Sequence, residues 1–157
     1  MLEPVPTRVP LVDGMRPIAF VSSSWSGWLT ILRDALNRTA QRVGTVSLTA
    51  QGAAIAATAI PAPTLTTARY KLTYYLRVTR AATTSSSITL TIAFTDGGIA
   101  CSQVFAAVTG NTTATFQTGT MMVLADTATT VNYSTAYASV GGTSMQYLLE
   151  ISMELVP

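Results

Sequence analysis

Residues Ala68 to Arg80 read Ala-Arg-Tyr-Lys-Leu-Thr-Tyr-Tyr-Leu-Arg-Val-Thr-Arg. Tyr70, Leu72, Tyr74, Leu76 and Val78 share one parity, and Arg69, Lys71, Thr73, Tyr75, Arg77 and Thr79 share the other. Successive side chains of an extended chain point to opposite faces, so this alternation predicts a strand with one face in a core and the other outward. At about 3.3 Å per residue the run spans roughly 40 Å, about twice the usual strand. A strand of that length needs neighbours of matching length, because its backbone N–H and C=O groups must be paired. The run constrains architecture and says nothing about chemistry.

The rest of the chain supplies those neighbours. From Val43 onward, short alternating runs are separated by turn signals at Gln51-Gly52, Pro61-Ala62-Pro63, Asp96-Gly97-Gly98, Gly110-Asn111 and Gly141-Gly142. Ile88, Leu90, Ile92 and Phe94 alternate with threonines and alanine, after a Thr/Ser loop over 81–87. Ile99 to Val108 reads as one run, and Thr113 to Ala125 as one or two strands broken near Gly119. The last run sets Met145, Tyr147, Leu149, Ile151, Met153 and Leu155 against Gln146, Glu150, Ser152 and Glu154. Eight or nine strands at roughly ten-to-thirteen-residue spacing indicate an all-β antiparallel sandwich or barrel. With eight strands and Greek-key connections, that is a jelly roll.

Two different segments precede the strands. Residues 1–21 carry Pro4, Pro6, Pro10 and Pro17, which favour extended backbone and remove ladder donors, so they read as an arm. Over residues 22–43, Trp25, Trp28, Leu29, Leu32 and Leu36 follow helical spacing, with Ser22–Ser24 as cap candidates. Arg38 and Arg42 suit the C-terminal end of such a helix, and Gly44 is placed to stop it. The sandwich then occupies 44–157. A stripe with two tryptophans has to be covered, either by the chain's own sheet or by a helical bundle or partner.

The 157 residues are 10% charged, with Thr, Ser and Ala where Lys and Glu commonly sit. Ordinary soluble domains carry about 25%. The low fraction fits a surface partly covered in an assembly. The net charge is +2 and the basic residues are dispersed, which argues against nucleic-acid binding. No apolar run approaches the ~20 residues of a membrane span. The proline-rich start lacks a basic stretch followed by an apolar core, so the expectation is synthesis in the cytoplasm without a signal peptide.

Catalytic groups are scarce. The chain has no histidine, which removes the commonest general base and metal ligand. Cys101 is the one cysteine, with no base in sequence around it, and reads as inert and partly buried. Glu150 and Glu154 share a strand face about 13 Å apart, too far for a carboxylate pair. They are instead candidates to pair with Lys71 and Arg77, across strands or between subunits. Asp96 and Asp126 at turns form the remaining calcium possibility, without the oxygen density such a site needs. The expectation is no enzyme, no cofactor and no metal.

The runs Tyr70 to Thr79, Ser87 to Gly98 and Ala136 to Tyr147, with Ser24-Trp25-x-x-Trp28 before them, resemble small tailed-phage virion proteins. The layout is also similar to the jelly rolls of the tumour-necrosis-factor and complement type. The resemblance implies a homotrimeric structural protein of a virion: a capsid decoration protein, a head or collar fibre, or a tail component. Its partners would be capsid, portal or tail proteins. The anchor would be Trp25, Trp28, Leu29, Leu32 and Leu36, and the subunit contacts Arg69, Lys71, Tyr75, Arg77, Glu150 and Glu154 on the outer strand face. An alternative is a receptor- or carbohydrate-binding module, in which Tyr75 with Tyr133 or Tyr137 offers a platform for a surface glycan.

Overall fold

The computed structural model of the chain describes residues 23–37 and 41–156. They fall into two compact units, one containing the helix α1 (Ser23–Asn37) and the other Gln41–Val156. The arm expected over 1–21 lies outside the described residues. The second unit holds nine strands: β1 (Gln41–Gln51), β2 (Ile55–Ala59), β3 (Ala68–Arg80), β4 (Ser85–Asp96), β5 (Ile99–Val104), β6 (Val108–Thr109), β7 (Phe116–Ala125), β8 (Asn132–Val140) and β9 (Gln146–Val156).

One sheet has the order β1-β9-β3-β7, and the other β2-β8-β4-β5, with β6 also on β4. The antiparallel pairs β1·β9, β2·β8, β3·β7 and β4·β5 are nested, as in one long hairpin folded back on itself. The pairs β3·β9 and β4·β8 then join the halves into a four-strand and a five-strand layer. That connectivity is a jelly roll, the all-β sandwich expected from the strand pattern.

The helix is shorter than its periodicity indicates. The described helix is Ser23–Asn37, and Gln41–Val43 already belong to β1, where Arg42 lies opposite Glu154. Gly44 is a strand residue and not a helix stop. A Cβ there would sit 2.8 Å from the Pro61 carbonyl oxygen, so the missing side chain lets β1 pass close to the loop that follows β2. β4 begins earlier than expected, at Ser85, because Ser85–Ser87 continue the ladder with Ser139 and Val140. The run from Ile99 ends at Val104, and only Val108–Thr109 returns to β4.

The inward parity of β3 makes the centre of the core. Tyr70, Leu72, Tyr74, Leu76 and Val78 are at most 3% exposed. The matching row of β9, Tyr147, Leu149, Ile151 and Met153, is equally buried, and Ile88, Leu90 and Ile92 of β4 supply the second layer. Gly119 does not break β7. It pairs with Tyr74, whose ring lies over it, so that a Cβ at Gly119 would meet ring atoms 2.7–3.0 Å away.

A sandwich with tyrosines in its core must find partners for their hydroxyls. Tyr147 is fully buried and donates to the Ala53 carbonyl at 2.8 Å. Its one proton is thereby used, so Thr135 Oγ1, 2.9 Å away, donates to Tyr147 and accepts from the Ile55 N–H at 2.9 Å. This chain of three bonds ties residues 53–55, at the start of β2, to β8 and β9. Tyr70 bonds the Thr66 carbonyl at 3.0 Å, and Tyr137 the Met145 carbonyl at 2.8 Å.

Replacing Tyr147 with Phe leaves the Ala53 carbonyl and the Thr135 proton unpaired. The expected cost is about 1–3 kcal/mol, read as a lower urea midpoint with an unchanged slope. A variant as stable as the parent would show that the bonded chain contributes nothing. Burial also raises the pKa of Tyr147 and of Tyr74 above the usual 10.0. A raised phenol favours the neutral form in the folded state, so this contribution is complete below pH ~10 and is lost as pH rises through the folded-state values. Stability measured between pH 9 and about 12 should therefore fall more steeply for the parent than for Tyr147→Phe.

Candidate interaction face

Outward parity on the β1-β9-β3-β7 sheet assembles a face from residues far apart in sequence. The register sets Ser47, Glu150, Tyr75 and Thr118 in one row across the strands. Thr45, Ser152, Thr73 and Thr120 form the next, and Arg42, Glu154, Lys71 and Met122 the one beyond it. At the two ends, Arg77 lies between Leu148 and Phe116, and Arg69 between Val156 and Leu124. All six residues expected on this face are therefore brought onto it.

Their pairing differs from the expectation in part. Lys71 Nζ and Glu154 Oε2 are 3.9 Å apart, a pair across β3 and β9 within one copy. Both side chains are partly exposed, which leaves such a pair worth about 0–1 kcal/mol. Arg77 is not opposite Glu150. The register gives it Leu148, and Glu150 faces Tyr75 and Ser47 with no ion pair among the described residues. The Tyr75 ring stands against Phe116, centroids 5.9 Å apart and tilted by 35°.

The face has two halves of different character. Toward the β7 edge, Phe116, Met122 and Leu124 are 58%, 47% and 46% exposed, beside Arg69 and Arg77. β7 pairs with β3 over ten residues without a register shift, and it carries no charge and no proline. Natural edges are usually blunted by charge, bulges or brevity, and this one is not. Toward β1, small residues leave an open furrow of about 410 Å³, with Arg42, Ser47, Tyr75 and Glu150 around it and Thr73 and Ser152 along it. The Ser152 hydroxyl oxygen is buried and has no hydrogen-bond partner. Phe116, Met122 and Leu124 were not among the expected site residues. Their shared parity was legible, but reading Gly119 as a break concealed it.

On α1, Trp25 and Trp28 meet edge to face at 5.7 Å and 81°. Both are half-buried, as is Leu32, whereas Leu29 and Ile31 are exposed. The side chain of Leu36 lies outside the described residues. Ile31 widens the apolar arc beyond the stripe read from spacing alone.

The remaining chemical candidates have structural partners. The Asp126 carboxylate accepts the Gly97 and Gly98 N–H groups at 3.1 and 2.8 Å, while its own N–H donates to the Thr95 carbonyl at 3.1 Å. Gly97 and Gly98 have φ of 56° and 76°, so the turn between β4 and β5 needs glycine at both positions. Cys101 is half-buried in β5 opposite Phe94, its thiol directed at the Ile99 carbonyl 3.6 Å away. Among the described residues no three of Cys, Asp and Glu are grouped so as to hold a metal ion. None of the described helices is long and apolar enough to cross a membrane.

Fold and connectivity make this a jelly-roll protein. No protein-family model matches the chain, and no curated protein sequence matches it.

Because Asp126 spends its carboxylate on the turn, Asp126→Ala should cost about 1–2 kcal/mol in urea unfolding. Amide exchange should speed up at Gly97 and Gly98 specifically. Millimolar calcium should leave the parent's thermal midpoint unmoved, and a calcium-dependent rise would reassign Asp126 to a metal site.

Proposed function

We propose that the protein is a non-enzymatic structural subunit of a bacteriophage particle. Three copies of the jelly roll associate and cap or project from the particle, and the segment before β1 anchors them to a capsid, portal or tail protein. The observation that carries this reading is the exposure of Phe116, Met122 and Leu124 on one parity of an unblunted edge strand, beside Arg69 and Arg77 and with Thr118 and Thr120 between them. Single exposed apolar residues are ordinary, but three on one face of a regular edge strand are the kind of surface that a partner covers. Subunit contact therefore uses the β3–β7 half of the face. Glu154 is taken by Lys71 within its own copy, and Glu150 lies in the furrow, so these acids drop out of the contact. The scarcity of proton-transfer groups supports a role in assembly over one in catalysis. The phage assignment itself rests on the resemblance of the strand runs and the Trp-bearing helix.

Light scattering on the purified full chain at micromolar concentration should give about three times the 16.5 kDa of one copy. The double change Phe116→Ser and Met122→Ser should return it to one copy while the far-ultraviolet spectrum stays β-type. A parent that is monomeric at that concentration overturns the assembly. Removing residues 1–40 should leave the Gln41–Val156 unit folded but unable to co-sediment with phage particles. Unimpaired co-sedimentation would remove the anchor role from the N-terminal segment.

A further inference from the structure

The furrow beside that assembly contact runs over β1, β9 and β3 and meets the contact at Tyr75, which packs on Phe116, but its chemistry is different. We propose that it binds a neutral saccharide, one or two rings at a time. Its volume of about 410 Å³ falls within the range of small-molecule sites. The residues along it, Thr73 and Ser152, are hydroxyl-bearing, with Ser47 at the side. Hydroxyls both donate and accept, which matches a ligand whose own groups do the same. Ser152 Oγ lies buried and unpartnered beneath the furrow, and reaches a ligand hydroxyl only when its side chain rotates outward.

The rims narrow the class further. Arg42 and Glu150 supply one positive and one negative charge, so a phosphate or sulfate meets Glu150, and an amine meets Arg42. A neutral polyol takes a hydrogen bond from each at no such cost. Tyr75 provides the apolar element. Its ring is half-buried, it is braced by Phe116 at 5.9 Å, and it lies in the same row as Glu150. A braced aromatic ring offers a flat apolar surface to the C–H face of a sugar, next to the groups that bond its hydroxyls.

The test is a printed panel of neutral, sialylated and sulfated glycans probed with the full chain, followed by titration calorimetry with the best neutral member. At least one neutral glycan should bind, and both Tyr75→Ala and Glu150→Gln should weaken it about tenfold or more. Tyr75→Ala also removes the Phe116 contact, so Glu150→Gln, a near-isosteric change at an exposed position, keeps the test decisive if the alanine variant is unstable. No neutral binder up to about 10 mM, where even a binding energy of only a few kcal/mol would register, overturns the proposal. So does a preference for sulfated or sialylated members, or an affinity indifferent to Glu150→Gln. The Glu150→Gln arm leaves Phe116, Met122 and Leu124 untouched, so its outcome is separate from the mass of the assembly, which depends on the β7 edge.

Discussion

The register between β3 and β9 is the constraint on which the other elements depend. Leu72 faces Met153, Tyr74 faces Ile151, Leu76 faces Leu149 and Val78 faces Tyr147, and every one of these is buried. A slip of one residue would turn the whole inner row to solvent and put Lys71, Arg77 and Glu150 in the core. β9 positions β1, β3 positions β7, and the second sheet packs on the row they share. Because that row is hydrophobic apart from its tyrosine hydroxyls, the hydrophobic term selects this register over its neighbours by many kcal/mol, at about 25 cal/mol per Å² of apolar surface.

Tyrosines in the core make this a partly polar interior that has to be wired. The bonded chain from Ile55 through Thr135 and Tyr147 to Ala53 shows how. Each hydroxyl is used once as a donor, and Thr135 also accepts a backbone N–H that the bulged, five-residue β2 leaves unpaired in its ladder. The glycines serve the same packing. Gly119 gives way to the Tyr74 ring, Gly44 to the Pro61 carbonyl, and Gly110 to Met145 and Ser86. In each case the absent side chain makes room for a contact made from elsewhere, and Gly44 and Gly119 do so inside strands, which glycine weakens locally.

Function follows from the parity opposite to the core. The face that the β3–β9 register turns outward is poor in acid–base groups and divided in two. One half is an apolar row with arginines, suited to another protein surface, and the other is a hydroxyl-lined furrow with balanced charge. A particle subunit that also holds a sugar would keep association and recognition side by side on one sheet, meeting at the Tyr75–Phe116 pair. The helix, with its paired tryptophans and wide apolar arc, belongs to a separate unit.

What the sequence by itself determined is whatever depends on local period. The bounds of β3, the inner rows of β3, β4 and β9, the turn at Asp96-Gly97-Gly98 and the all-β class were all legible, because alternation and turn chemistry are properties of neighbouring residues. Membership of the outer face was legible too, since it is the complement of the buried parity. Pairing across strands was not. That Lys71 meets Glu154 while Arg77 meets Leu148, that Arg42 joins the furrow, and that Gly44 and Gly119 sit inside strands all depend on register between pairs that lie from 45 (Tyr74 and Gly119) to 112 (Arg42 and Glu154) residues apart. Periodicity is blind to register. Only the packing of one inner row on another decided it, and with it the furrow and the exposed edge.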